Sequence, residues 1–379
     1  MADKYAQMVS TIKETSQKFP LNLMAKHFDP EYLYSLDDDK KKRFTEIIHS
    51  GYANPDSTVG CYAMHVDDYQ NYKPFFSKVI YDYHRVKPGV KHVSSWDLET
   101  LGLDKKHNFD LKEFGLEPVS MRVRVARNFK TFPLPCHMSK EDRVNLENVM
   151  FKIFEDLKTI PEYGGEYYSL TPGHPNFMDD EKYKELVENH FMFKDSRTDP
   201  HMNSVGMGND WPYGRGCYIA GNKDFIIWVG EEDHLRLMSM YKGTILNQPF
   251  RRLRAGLDFI LAQERFNLQF AFSEDYGTIT SCPSNLGTSM RASIHMKLPA
   301  LAEKGESYIK EIAGPIGLSV RGVHGENTPL GEGGVCDISL KARFCISEVR
   351  ILQKLYKGIG VLAEKEREAD KSRSSKSSL

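Results

Sequence analysis

The chain has 379 residues, of which 27% are charged and 40% hydrophobic, and its formal net charge is −1. A length above that served by one hydrophobic core leads us to expect two domains. The near-zero charge argues against a nucleic-acid or membrane-surface binder, and no apolar run approaches the roughly 18 residues of a membrane span.

In chain order, the first hundred residues read as short helices. The start, Met1-Ala-Asp-Lys-Tyr-Ala-Gln, has neither the apolar core of a signal peptide nor the Arg-rich character of a transit peptide. Asp29-Pro30-Glu31 supplies an N-cap acceptor, a proline at the first helical position and an acid favoured by the helix dipole. Helical character continues through Leu33, Leu36 and 40–48, and 51–60 is a turn-rich loop. From 88 to 118 periodicity is poor, as in a linker. Residues 118–125 alternate like a strand, which places Arg122 and Arg124 on the same face. Residues 139–157 predict an amphipathic helix, opened by Ser139 with Asp142 three positions on, a variant of the capping box. Further strands are expected at 225–229, 268–272, 277–282, 318–322 and 334–338, and helices at 247–264, 290–303 and 347–364. Strands interspersed with long helices indicate an α/β or α+β domain. The expected division is a helical unit over 1–95, a linker over 96–117, a catalytic unit over 118–364 and a disordered Ser/Lys-rich tail over 365–379.

The common phosphate-binding signatures are missing. There is no Gly-Lys dipeptide, hence no Walker A loop, and neither H-R-D nor D-F-G occurs. H-E-x-x-H is absent, and no His/Cys cluster has zinc spacing. The six cysteines are scattered without a C-x-x-C pair, which suggests free thiols in a reducing, cytoplasmic setting. What remains is a set of arginines: Arg122 and Arg124 on a strand, Arg236 after an acidic run, Arg291 after a Gly/Ser-containing loop, and Arg321 before Gly322. Each alone has an ordinary explanation as a salt-bridged surface residue. Together with carboxylates and a thiol, they suit phosphoryl transfer onto a basic acceptor, since arginines neutralise phosphates and carboxylates hold a cationic nucleophile.

Six blocks carry a resemblance. They are Trp211-Pro-Tyr-Gly-Arg-Gly216, Glu231-Glu-Asp-His-Leu-Arg236, Cys282-Pro-Ser-Asn-Leu-Gly-Thr288, Arg291-Ala-Ser-Ile-His295, Arg321-Gly with Gly325-Glu326, and Glu332-Gly-Gly-Val-Cys-Asp-Ile-Ser339. In order and spacing they resemble the phosphagen (ATP:guanidino) kinase family, over about residues 21–364. The resemblance implies an α+β fold, with a small all-helical N-terminal domain followed by a larger domain of antiparallel sheet flanked by helices. It implies that Arg122, Arg124, Arg236, Arg291 and Arg321 clamp the nucleotide phosphates, with His190 and His295 by the adenine and ribose. Glu232 and Glu326 each hold the guanidinium, and Cys282 sits near the reacting nitrogen as a thiolate favoured by the arginines. Magnesium is expected on the nucleotide rather than in an acidic cage. The implied partners are ATP or ADP and a guanidine, in a monomer or homodimer.

Within that family, the short 54–59 loop, Tyr62 and the second carboxylate Glu326 match kinases acting on arginine, with Ser57, Thr58, Val59 and Tyr62 as substrate contacts. Taurocyamine and lombricine are the alternatives, and an inactive nucleotide-binding scaffold is the alternative of another class. Three positions depart from the family pattern. Ala126 and Leu340 read as packing variation. Asp199-Pro200 stands where Asp-Arg is common, which leaves Asp56 without its usual partner unless Arg197 substitutes.

Overall fold

The computed structural model describes residues 5–102, 108–322 and 329–376. Six helices build the N-terminal part: α1 Ala6–Lys18, α2 Leu23–His27, α3 Pro30–Ser35, α4 Asp38–Ala53, α5 Asp68–Asn71 and α6 Lys73–His84. Short acceptors start three of them. Asn22 accepts from Ala25 N, Asp29 from Glu31 N ahead of Pro30, and Asp37 from Lys40 N. Helix α4 runs to Ala53, so the loop expected from residue 51 begins at Asn54.

The rest is built on ten strands, which in chain order are β1 Val119–Arg127, β2 Gly165–Ser169, β3 Gly216–Ala220, β4 Phe225–Val229, β5 Leu235–Gly243, β6 Phe272–Ser273, β7 Gly277–Thr278, β8 Met290–Lys297, β9 Leu318–Arg321 and β10 Val335–Leu340. Eight form one antiparallel sheet in the order β2-β3-β4-β5-β1-β8-β10-β9, and β6 pairs only with β7. Seven helices accompany it: α7 Lys140–Leu157, α8 Asp180–Glu188, α9 Pro200–Ser204, α10 Asn247–Leu261, α11 Pro299–Ala302, α12 Glu306–Ala313 and α13 Glu348–Lys376. The capping box at α7 forms as expected, with Ser139 and Asp142 bonding reciprocally.

Alternation along the strands sends one set of side chains into a core against α7, α10 and α13. Met121, Val123 and Val125 of β1, Leu235 and Leu237 of β5, and Ala292 and Ile294 of β8 all lie in it. Each fully buried Leu or Phe there contributes about 1.5–3 kcal/mol. The opposite face is apolar only toward the β2 end, where Cys217, Ile219, Ile226 and Met238 pack under α8. Its central part is left for polar side chains.

Three expectations are corrected. Residues 290–297 form a central strand rather than a helix, with only Pro299–Ala302 helical after it. Strands expected over 268–272 and 277–282 shrink to a two-residue pair. The tail expected to be disordered from 365 continues α13 to Lys376. It is held because Glu366 accepts from the N–H groups of Ala300 and Leu301, Ala369 is buried, and Arg373 pairs with Glu303.

The N-terminal core does not stop at the helices. Phe44, Ile47, Tyr69 and Phe76 share one apolar cluster with Leu134, Met207, Ile279, Cys282, Leu286 and Phe344. Hydrogen bonds cross the same boundary: Ala63 N to Ser281 O at 2.8 Å, Tyr69 OH to Thr280 O at 2.9 Å, and His84 Nε2 to Pro283 O at 2.9 Å.

Candidate active site

Register alone assembles an arginine face. Residues directly opposed in an antiparallel pair point the same way. Arg124 of β1 opposes Arg291 of β8, and Ala126 opposes Arg236 of β5. Ser120 opposes His295, His295 opposes Asp337 of β10, and Asp337 opposes Arg321 of β9. Arg122, Arg124, Arg236, Arg291, Arg321 and His295 therefore share the face turned away from the helical core. His190 follows α8 in the left-handed region and is exposed. Its neighbour Phe191 is tied to that face, because its carbonyl accepts from Trp228 Nε1 at 2.7 Å and Trp228 opposes Arg236.

The cations are held unequally. Arg291 donates to Asp337 Oδ2 at 2.9 Å and to Ser339 Oγ at 3.3 Å, and Arg321 Nε donates to Ser319 Oγ at 3.4 Å. Arg236 grips Glu231 at 2.6 and 2.8 Å and Glu232 at 3.1 Å, with its guanidinium 5.7 Å from the Trp228 ring centre. Among the described residues neither Arg122 nor Arg124 has an ion-pair partner. Burial, then the neighbouring arginines, lowers the Arg124 pKa well below its ordinary value. Burial and Arg291 lower that of Arg122 as well. Such a face is a receptor for several negative charges.

Glu232 stands at its edge on a loop fixed from below. Asp233 accepts from Asn128 Nδ2 at 2.6 Å and Ser281 N at 2.8 Å. His234 Nδ1 accepts from Phe129 N, so Nε2 carries the proton it donates to Pro133 O at 2.7 Å. Burial pushes the Glu232 carboxyl up to about 7, against the pull of Arg236 and with added repulsion from Asp233 and Glu231. Asn285 Nδ2 donates to Glu232 Oε2 at 3.2 Å.

Cys282 lies close enough to Glu232 to feel its charge, but its expected thiolate is not what the structure favours. The thiol is 6% exposed, and burial followed by repulsion from Glu232 pushes it up to about 12. Ser284 Oγ, 3.1 Å from Sγ, works the other way. The sequence shows arginine-bearing motifs near this thiol but not the burial and the Glu232 charge that decide its protonation.

Tyr62 is buried in the cluster that holds Cys282, close enough that Cys282 and Glu232 add to the raising of its pKa by burial. The loop ahead of it is anchored through its carbonyls. Thr58 O accepts from Leu23 N and Val59 O from Met24 N, while Gly60, at φ +72°, turns the chain where a Cβ would clash with Asn22. Ser57 N donates to Asn54 O, whereas among the described residues the N–H groups of Thr58 and Val59 make no hydrogen bond. Arg197 does not reach Asp56. It pairs with Asp195 at 2.7 Å, and His201 lies 3.7 Å from Asp56 and 3.6 Å from Asp199. Ala126 and Leu340 are buried, and Ala126 lines a hollow with Arg124, Arg236 and Arg291. Glu326 lies outside the described residues.

An arginine face beside a fixed carboxylate fits a reaction joining a polyphosphate to a cation. Sequence comparison decides the family. Residues 145–369 match the ATP:guanido phosphotransferase C-terminal catalytic domain, and residues 20–81 match the N-terminal domain. The chain belongs to the ATP:guanido phosphotransferase family. It is 38% identical over 362 residues to an arginine kinase of Liolophura japonica, covering 94% of this chain and 97% of that one. It is 37% identical over 359 residues to an arginine kinase of Turbo cornutus, covering 94% and 95%. Among solved structures, a lombricine kinase superposes with a TM-score of 0.80 at 28% identity, over 93% of this chain and 94% of that one. The duplicated taurocyamine kinase from Schistosoma mansoni with bound transition-state analogue components superposes at 0.78 with 31% identity, over 97% of this chain. The chain spans about half of that duplicated protein, 49%.

The site also holds residues to which the sequence assigned no role. Arg343 and Ser289 line the same hollow as Arg124, Arg236, Asn285 and Arg291. Nothing in the spacing of Arg343 marks it, since it reaches Asn285 from 58 residues away.

Proposed function

We propose that this phosphotransferase reversibly transfers the γ-phosphoryl group of MgATP to the guanidino group of L-arginine, giving phosphoarginine and ADP. The observation that carries the reading is the set of arginines on one sheet face beside Glu232. In this reading Arg122, Arg124, Arg236, Arg291 and Arg321 align the phosphates, with His190 and His295 toward the nucleoside. Glu232 holds one edge of the guanidinium and Glu326 the other, which directs a nitrogen at the γ-phosphorus. The N–P bond forms as the bond from phosphorus to the bridging oxygen breaks, and ADP leaves with that electron pair. The guanidinium proton passes to Glu232, whose raised pKa suits it to accept a proton near neutrality. Magnesium enters with the nucleotide and neutralises its β- and γ-phosphates. The facing donors are guanidinium groups, and among the described residues no three His, Cys, Asp or Glu side chains converge as a metal site.

Arginine is favoured over other guanidines by the short 54–59 loop. The free N–H groups of Thr58 and Val59, with Ser57 and Tyr62 alongside, suit an α-carboxylate. The likeness to taurocyamine and lombricine kinases supports a second reading in which one of those guanidines is the substrate. Assays of kcat/KM across guanidines separate the two. L-Arginine should lead, agmatine and D-arginine should fall steeply because the loop donors are then left without a well-placed carboxylate, and creatine should be nearly inert. Taurocyamine outperforming arginine, with agmatine tolerated, would reject arginine and leave the phosphotransferase standing. Free cysteines throughout support a reducing, cytoplasmic location, for a monomer or homodimer. Among the described residues no helix is long and apolar enough to cross a membrane.

A further inference from the structure

We propose that Arg343 is a positioning residue that couples the phosphate-binding hollow to the carboxylate Glu232 through the side-chain amide of Asn285. The inference rests on the phosphoryl-transfer reading above. Arg343 Nη1 donates to Asn285 Oδ1 at 2.6 Å, and Asn285 Nδ2 donates to Glu232 Oε2 at 3.2 Å. A guanidinium has only donors, so it fixes which end of the amide faces it. With Oδ1 committed to Arg343, the NH2 end must face Glu232. Without Arg343 the amide is held at its Nδ2 end alone, by the acceptor Glu232, and it loses the second tie that fixes its position.

Glu232 therefore has two directed donors on the same oxygen, Asn285 Nδ2 and Arg236 Nη2. Each of them continues to the arginine hollow, one through Arg343 and one directly. Oε1 is left to receive the guanidine. Anions bound in the hollow and a guanidinium held at Glu232 are thereby kept in one register, which is what in-line transfer needs. The Arg343 main chain has a separate task. Its carbonyl accepts from Thr288 N at 2.9 Å and Thr288 Oγ1 at 3.1 Å, anchoring the loop that carries Cys282 and Asn285. Side-chain substitution keeps that anchor, so the two tasks can be separated.

The test is a double-mutant cycle of Arg343→Ala and Asn285→Ala, with kcat, KM for the guanidine and MgADP affinity measured for each variant. Arg343→Ala should lower kcat by about tenfold to a hundredfold, the loss expected of one hydrogen bond to a charged group. MgADP affinity should stay within about threefold, and Arg343→Ala should cost less than about twofold more in the Asn285→Ala background, since the relay is already broken there. The acid limb of the kcat profile should move to higher pH in both single variants, because Glu232 loses a donor in Asn285→Ala and a nearby positive charge in Arg343→Ala, and each favours its charged form. If Arg343→Ala lowers the melting temperature sharply, Arg343→Met replaces it in the same cycle and keeps the stem. Losses that simply add, or a defect in MgADP affinity with kcat preserved, would overturn the relay and make Arg343 an ordinary phosphate ligand. Full activity of Glu232→Gln and Arg291→Ala would instead overturn the phosphoryl-transfer reading, so the two failures are distinguishable.

Discussion

At the scale of single residues, the site is governed by which charges are buried together. Cys282 illustrates it: burial raises its pKa most, Glu232 raises it further and Ser284 lowers it. Glu232→Gln removes the repulsion, so the pKa falls and the thiolate fraction at a given pH rises. Ser284→Ala removes the hydrogen bond, so the pKa rises further. Iodoacetamide rates followed against pH should shift to lower pH in the first variant and to higher pH in the second. Identical curves for both would mean that neither group governs the thiol. Arg291 is a second case, because it uses two different nitrogens for Asp337 and Ser339. Lysine supplies charge without that fork, so Arg291→Lys should lose about tenfold or more in kcat. A lysine variant near full activity would leave charge alone as its contribution.

Secondary-structure elements explain why much of this was legible and some was not. Strand β1 could be read because its two faces differ chemically, with Met121, Val123 and Val125 inward and Arg122 and Arg124 outward. The start of α7 could be read from Ser139 and Asp142 because a cap is a local event. Strand β8 is misread although Met290-Arg-Ala-Ser-Ile-His-Met-Lys297 alternates apolar and polar residues. It lies between β1 and β10, and the helix propensity of Met and Ala, with the helical Pro299–Ala302 following directly, takes more weight in the reading than that period of two. Strand β3 escaped because it is buried along its whole length and shows no alternation. Site residues found by motif were those whose chemistry is compact in sequence. Arg343 joins its partners only after folding. Gly287 gives a prediction at this scale. It sits at φ +92°, and a Cβ there would lie 2.4 Å from Arg343 O. Gly287→Ala should destabilise by about 2 kcal/mol and depress turnover, because the strained turn displaces the loop bearing Asn285. An unchanged melting temperature in calorimetry would show that the loop adapts.

For the whole molecule, the apolar cluster joining the helical part to Cys282 and Leu286 limits how closure can occur. A hinge through that boundary would break buried contacts, so the helices and the 276–286 segment should move as one body. Small-angle scattering should show compaction with MgADP, nitrate and arginine, while hydrogen exchange at the Ala63 amide, bonded to Ser281 O, stays equally slow. Rapid exchange at Ala63 in the free protein would locate the hinge at that boundary instead. The arginine face has a further consequence. Charges gathered on one face carry a cost before any anion arrives, at Arg124 through burial first and then through repulsion from the neighbouring arginines. The fold is therefore weakest in water free of anions, and its durability is set partly by its buffer. Inorganic phosphate at a hundred times its dissociation constant should add about 2.7 kcal/mol, or roughly 3–4 °C in melting temperature for a chain of this length, relative to chloride of equal ionic strength. Arg124→Met should melt higher than the parent in chloride and gain little from phosphate. In storage as in the proposed catalysis, then, an anion on the arginine face would complete this protein.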